Sequence, residues 1–340
     1  MSSIIGKKFT ISLFGDGNSD VVGAVIEGLP AGFTPDITLL KAIGEYKIIS
    51  GMHKDRCSGT PLCVLFPTPQ QPSLTETVSP DIVRPGLDDL GEYKKAGGKM
   101  TLRNGHHYAS LLQQALLFAG ELACQLLKEK NIHIYSHILQ LGQVCDQSFS
   151  EIARLQDILP ALSKGELPVI DKRKEMLMKL AITQGQTDGD TLGGKIEATV
   201  TGLAAGVGDA VFAGLKSRLA EVLFSLPQMC ALEFGKGVNS AAMTGSEYND
   251  LPFVDTTRGM IVTQTNHCGG IEESMSNGMP LLLTATFAPS PYIAKPQPTV
   301  HRSEQRGATL PPFESAVFDH KIKNKLVRAA IAITIIDILQ

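Results

Sequence analysis

The sequence predicts one α/β (α+β) domain, residues 1–340, built of antiparallel sheets with covering helices. Three observations lead there: short apolar runs closed by Gly/Pro turns, longer runs with helical period, and no composition break that would divide the chain. With 43% apolar residues among 340, a substantial core can be buried.

The strand signals begin at the N-terminus. Phe9 to Phe14 reads as a strand, 15–20 as a turn or loop, and Val21 to Glu27 as a second strand closed by Gly28-Leu29-Pro30-Ala31-Gly32, together a hairpin. Gly193 to Thr201 is again strand-like and again closed by a Gly-Leu-x-Ala-Gly run at 202–206. The echo hints at an internal duplication, although two unrelated strands ending in similar turns would look alike.

From Tyr108 to Lys130, Leu112, Ala115, Leu116, Ala119, Leu122, Ala123 and Leu126 recur at three- and four-residue steps, predicting an amphipathic helix against a sheet. Asp209 as N-cap, then Val211, Phe212, Leu215, Leu219, Val222 and Leu223, with Pro227 beyond the end, predicts another. Leu326 to Leu339 is interrupted by Arg328, Thr334 and Asp337 and is shorter than the roughly 20 residues that span a bilayer, so it predicts a buried C-terminal helix. Ser148 to Lys179 has weaker periodicity and many charges and is expected to be exposed. Gly/Pro-rich stretches at 67–86, 97–105 and 288–312 predict long loops. Loops of that length inside a compact domain are functional or disordered, so any site should be formed by them.

Composition narrows the function classes. Lys+Arg of 31 against Asp+Glu of 34 gives a formal charge of −3, so no global basic field recruits nucleic acid or an anionic membrane. The absence of Trp and 6% aromatics leave little for base stacking. Cys57, Cys63, Cys124, Cys145, Cys230 and Cys268 show no CxxC pair and are expected to be reduced thiols, mostly core filler. The N-terminus carries no export signature, so the expected compartment is the cytoplasm. The adjacent pair His106-His107 has no third ligand at suitable spacing, so no metal is expected. The glycine clusters at 15–17 and 97–98 are too short to be phosphate-loop fingerprints.

An ordered set of segments resembles the chorismate synthase family. Phe14-Gly15-Asp16-Gly17-Asn18-Ser19 stands for FGESHG, and Gly28 to Gly32 for GLPAG. Ser50-Gly51 with Ser58-Gly59-Thr60-Pro61-Leu62 matches LSG…TTGTPL, and Arg84-Pro85-Gly86-Leu87 matches RPGH. Arg103 to Leu111 corresponds to the RGGGRSSAR element, Gly208 to Phe212 to GDPVF, and Gly245 to Asp250 to GSExND. Thr265 to Ile271 with Ser276 to Pro280 corresponds to TNNxGGI…SNGMP. The resemblance implies a β-α-β sandwich of antiparallel sheets with covering and central helices, assembled as a homo-oligomer (tetramer or dimer). It also implies an FMN-dependent lyase that eliminates phosphate from 5-enolpyruvylshikimate 3-phosphate to give chorismate, in the shikimate pathway.

That chemistry needs proton donors, cations on the leaving phosphate and a reduced flavin. The family's two catalytic histidines fall on Asn18 and Leu87, and neither side chain can act as a general acid. The arginine-rich segment between GLPAG and LSG is shortened to 35–47, which removes most of the guanidinium forks. What remains for a small phosphate- or carboxylate-bearing ligand is Arg84, Arg103 and His107, with Lys41 and Lys99 as further local cations, each as readily a solvated surface charge. For the flavin, KPTPSI becomes Ala288 to Ile293, losing the lysine and keeping Ser290; Lys295 stands nearby, and Asn249 belongs to the GSExND match. Two readings stay open: a family lyase with altered groups, on the usual or a changed substrate, or a non-catalytic paralogue acting as a binding or regulatory partner.

Overall fold

The computed structural model describes residues 3–15, 19–67, 79, 81–95, 97–98, 111–152, 154–162, 167–256, 259–313 and 316–340. Asn18, Lys99, Arg103, His106 and His107 lie outside the described residues.

Two five-stranded antiparallel sheets enclose two long helices. The first sheet runs Ile4–Ile5, Ile11–Phe14, Val21–Ile26, Leu62–Pro67, Lys47–Ser50 in spatial order. The second runs Met229–Phe234, Leu281–Phe287, Gly194–Thr201, His133–Leu141, Val144–Cys145. The expected N-terminal hairpin is present, with Ile11 opposite Ile26 and Phe14 opposite Gly23. Helix Leu111–Glu129 packs on the first sheet, helix His320–Leu339 on the second, and the helices pack on each other. Every residue from Ala329 to Asp337 is buried, as a helix apolar on all sides requires.

The helices run side by side in the same direction. Gln113 shares a cavity with Ile322 and Lys323, and seven residues later Gly120 meets Ala329. A Cβ at Gly120 would lie 2.1 Å from the Ala329 Cβ, so this crossing admits no side chain on one partner. At the far end the Gln340 amide donates to the Gly28 carbonyl at 2.8 Å. Nearby, one Asp337 oxygen accepts the Lys7, Lys8 and Phe9 N–H groups at 2.7, 2.6 and 2.8 Å, and the other accepts from Arg218.

The echo in the sequence is an echo in geometry. Gly28 and Gly202 have φ of 86° and 84°, and Gly32 and Gly206 both have 86°. Each run ends on a small hairpin: Gly32 N–H reaches the Cys57 carbonyl and Cys57 N–H the Phe33 carbonyl, while Gly206 pairs with Ser276 and Ser276 with Val207 in the same way. Ser58 N–H closes on the Gly51 carbonyl at 2.9 Å, and Asn277 N–H on that of Gly270 at 3.1 Å. The hairpin tips Lys54 and Glu273 both take positive φ, 54° and 49°. Around these frames the strand orders match as well, since Ile11–Phe14, Val21–Ile26, Leu62–Pro67, Lys47–Ser50 parallels His133–Leu141, Gly194–Thr201, Leu281–Phe287, Met229–Phe234.

Three local expectations are corrected. Asp209 does not cap the helix: its carboxylate accepts from Ala210 N–H, Val211 turns to φ 60°, a 3-10 turn Val211–Ala213 intervenes, and the helix Leu215–Leu223 begins after Gly214. Residues 148–179 are not simply exposed, because Phe149, Leu159 and Leu162 form a second apolar cluster with Leu282, covering the second sheet. Pro160 inside the helix Leu155–Leu162 helps to obscure its period. Within 288–312 a two-stranded hairpin, Gln297–His301 with Arg306–Leu310, replaces the expected loop.

Candidate functional site

Two of the three long segments expected to form any site, 67–86 and 288–312, meet through their described residues, whereas 99–105 of the third lie outside the described residues. Val83 N–H donates to the Val300 carbonyl at 3.2 Å, Thr299 Oγ1 to the Val83 carbonyl, and Ser303 Oγ to Asp81 Oδ2 at 2.6 Å. The Arg302 guanidinium lies 3.8 Å from the centre of the Tyr93 ring. Gly86, at φ 74°, passes so close to Pro291 that a Cβ would stand 2.8 Å from the Pro291 Cβ. Tyr292 meets Phe313 edge-on at 6.2 Å.

Leu87 follows in the bend before helix Asp89–Lys95, half-buried. Arg84 is committed locally: Nε donates to Asp89 Oδ2 at 2.9 Å and Nη2 to Oδ1 at 2.5 Å, while the Arg84 N–H also reaches Oδ2 at 2.8 Å. Burial opposes its charge, but the completely buried Asp89 more than offsets this and raises the Arg84 pKa. The fork that could have met a phosphate is thus spent on the loop's own turn.

Of the three flavin candidates, two are neighbours. The Ser290 carbonyl accepts from Thr191 Oγ1 at 2.6 Å, and the adjacent Asp190 accepts from Lys295 Nζ at 2.7 Å. That ion pair is about half exposed on both sides, at 44% and 48%, so a ligand could exchange for it. Asn249 is exposed at the end of helix Gly245–Tyr248, its N–H on the Gly245 carbonyl; it shares no hydrogen bond with Ser290 or Lys295. Its neighbour Asp250 has the structural work, accepting from Thr265 Oγ1 and from the N–H groups of His267 and Cys268 at 2.6, 2.7 and 2.9 Å.

Ser290 lines a cavity of about 320 Å³ at the N-terminal ends of both long helices, together with Gln113, Gln228, Tyr292, Asp319 and Lys323. Lys323 was not among the expected residues. It is 9% exposed, donates from Nζ to Gln228 Oε1 at 2.7 Å, and lies 4.5 Å from the centre of the Phe287 ring and 5.5 Å from that of Phe318. Burial pulls its ammonium down to about 8, with Asp319 acting in the opposite direction. The signal for it was present, because Lys323 is in phase with Leu326, Val327 and Ala330 on the buried stripe. A cation, amides, a hydroxyl and aromatic walls form a donor set that fits the anionic end of a flavin or another small ring anion.

Elsewhere, His137 is enclosed between two carboxylates. Its Nδ1 is 3.3 Å from Asp146 Oδ2 and its Nε2 2.8 Å from Glu197 Oε2, while Glu197 also accepts from Ser148 Oγ at 2.6 Å and Phe149 N–H at 2.7 Å. Burial works against the imidazolium, yet the two acids win and raise the His137 pKa. All six cysteines are free; burial pushes the Cys124 thiol up to about 12 and that of Cys268 up to about 11, which leaves both protonated and unreactive. Among the described residues, no cluster of three or more His, Cys, Asp or Glu could hold a metal, and no helix is long and apolar enough to cross a membrane.

Comparison with known proteins agrees with this architecture. The chorismate synthase family model matches residues 41–339. A chorismate synthase of Lancefieldella parvula is 31% identical over 330 residues, covering 88% of this chain and 86% of that protein. One from Thermococcus kodakarensis is 30% identical over 322 residues, covering 90% and 88%. A crystal structure of chorismate synthase superposes with a TM-score of 0.76 at 20% identity, covering 98% of this chain and 92% of that one, and establishes the likeness of fold. By the extent of the family match and these relatives, the chain belongs to the chorismate synthase family.

Proposed function

We propose that this chain is a chorismate synthase homologue whose cleft takes reduced FMN and a small phosphate- or carboxylate-bearing ring. In this reading its turnover of 5-enolpyruvylshikimate 3-phosphate is far slower than the family's two-histidine chemistry would give. The observation that carries the reading is the bend at 84–89: the imidazole of RPGH is replaced by half-buried Leu87, and Arg84 beside it is held by Asp89. When bound, the reduced flavin supplies electron density against the substrate ring. The protein's own part is to hold and orient the ligand through Ser290, Gln228 and Lys323; Leu87 has no proton to move. Losing one positioned proton donor costs about 10²–10⁴ in rate, and Asn18 adds a second loss. In this reading the chain acts in the cytoplasm.

A second reading, a non-catalytic paralogue in a homo-oligomer (tetramer or dimer) or a mixed assembly, is favoured by exposed apolar side chains. Phe212 is 92% exposed, Ile261 71% and Val254 64%.

A fluorescence titration of FMN, with and without 5-enolpyruvylshikimate 3-phosphate, combined with an absorbance assay for chorismate, tests both. Flavin binding with chorismate formation at least about 10²-fold below a histidine-bearing relative supports the first reading. Formation at the relative's rate sinks it. Absence of flavin binding removes the enzyme reading and leaves the paralogue.

A further inference from the structure

The most informative group outside the motif segments that resemble the family is Lys323. Its position becomes meaningful beside Ala288, where the resemblance has lost a lysine. The Ala288 N–H donates to the Gln228 carbonyl at 2.9 Å, and the Gln228 side chain accepts from the Lys323 ammonium at 2.7 Å. The same ammonium lies over the ring of Phe287, the residue that precedes Ala288. Two independent links therefore bring the charge of the C-terminal helix to the end of the strand Leu281–Phe287.

We infer that Lys323 is the cation of a small-anion subsite at this cavity, delivered from the C-terminal helix in place of the lysine that Ala288 has replaced. The inference deepens the proposed flavin-binding reading and rests on it for the choice of ligand. The remaining observations point the same way. Among the described residues no carboxylate lies within 4.0 Å of Lys323 Nζ, although the group is only 9% exposed. Asp319 lines the same cavity, but its Oδ1 accepts the Ile322 N–H at 3.0 Å and caps the helix. A nearly buried charge with no carboxylate within 4.0 Å among the described residues is costly, and an anionic ligand adds the close counter-charge that Asp319 does not supply. Gln228, which holds the ammonium, sits at φ 64°, a conformation that costs a non-glycine residue and persists where the surroundings impose it, commonly at ligand sites. The chemistry required of the ligand is a phosphate or carboxylate attached to a flat ring, for which Tyr292 and Phe318 supply the walls.

The test is FMN titration of the wild-type chain, Lys323→Met and the relocated-charge variant Lys323→Met/Ala288→Lys. Riboflavin provides a probe without phosphate, and inorganic phosphate is read by the thermal midpoint. Expected is a loss of FMN affinity of about 10- to 100-fold in Lys323→Met, little change for riboflavin, and recovery in the double variant. Gln228→Ala, which keeps the lysine and removes its holder, is the second variant should Lys323→Met not fold, with a loss of about 3- to 10-fold. FMN and phosphate responses unchanged in folded Lys323→Met and Gln228→Ala overturn the proposal and leave the flavin reading intact. If the wild type binds no FMN, the flavin reading fails, and phosphate decides the proposal: a midpoint rise in the wild type absent from the variants supports it, and equal responses or none overturn it.

Discussion

Replacing Gly120 by alanine sets two physical effects against each other with opposite signs. Gly120 lies in the interior of helix Leu111–Glu129, where alanine is favoured over glycine by about 1 kcal/mol. Propensity alone thus predicts a more stable protein. The structure predicts the reverse, because the added Cβ would stand 2.1 Å from the Ala329 Cβ and 2.6 Å from its Cα. Carbon atoms in contact settle at about 3.5–4.0 Å, so the helices must part by more than 1 Å along a crossing where Ala329, Ala330 and Val327 are all buried. Overpacking of this kind costs about 1–3 kcal/mol, and the atoms met here, the Ala329 Cβ and Cα, cannot rotate aside, which places it near the upper end. With the propensity gain subtracted, Gly120→Ala should lose about 1–2 kcal/mol, read as a lower urea midpoint. Gly91→Ala is the matched control: it lies within helix Asp89–Lys95 with nothing inside 4 Å of its would-be Cβ, so it should be neutral or slightly stabilising. A Gly120→Ala chain as stable as wild type would refute the close crossing and the sandwich geometry derived from it.

Two further predictions concern buried charge. Asp337→Ala strips the partner from three N–H groups and from Arg218, whose side chain is only 14% exposed, and should cost about 3–5 kcal/mol in chemical denaturation; Arg218→Met should cost less, since Asp337 keeps its three N–H donors, and the reverse ranking would refute the assignment. For His137, the folded pKa is raised, so its stabilisation is complete below the unfolded value near 6.5 and is lost as pH climbs through the folded value. Asp146 has a lowered pKa despite its burial, so its share is present above the unfolded carboxylate range and is lost as pH falls. A denaturation series from pH 6 upward should show wild-type stability falling more steeply than that of His137→Gln, and parallel curves would show that the imidazolium is not what the acids hold.

The strands, the glycine turns and the long helices were readable because their signals are local. An alternating run closed by Gly28 or Gly202 needs only its own residues to declare a turn of positive φ, and the structure has both. The helix 215–223 was misjudged at its start because Val211 adopts φ 60°, a state no propensity favours for a β-branched residue. At the candidate site, the motif comparison pointed to Leu87 and Ala288, but no local pattern could show which side chains the fold would bring near them. The Arg84–Asp89 pair forms only when the bend brings the two side chains together, and Lys323 reaches Gln228 across 95 residues of chain. Such links depend on tertiary packing, and no window of neighbouring residues contains them.

The paired glycine frames also bear on how this protein can change over generations. Each half carries its own strand, turn and hairpin unit, held by backbone bonds that do not depend on the side chains of the rim. The rim where the helix N-termini emerge lies outside these frames, and it is there that Gln228, Ser290 and Lys323 stand. Selection on such a protein acts on two nearly separable inheritances: a durable frame and the side chains of the rim. Grafting the rim segments of a histidine-bearing relative onto this frame would exchange its chemistry while leaving its architecture in place.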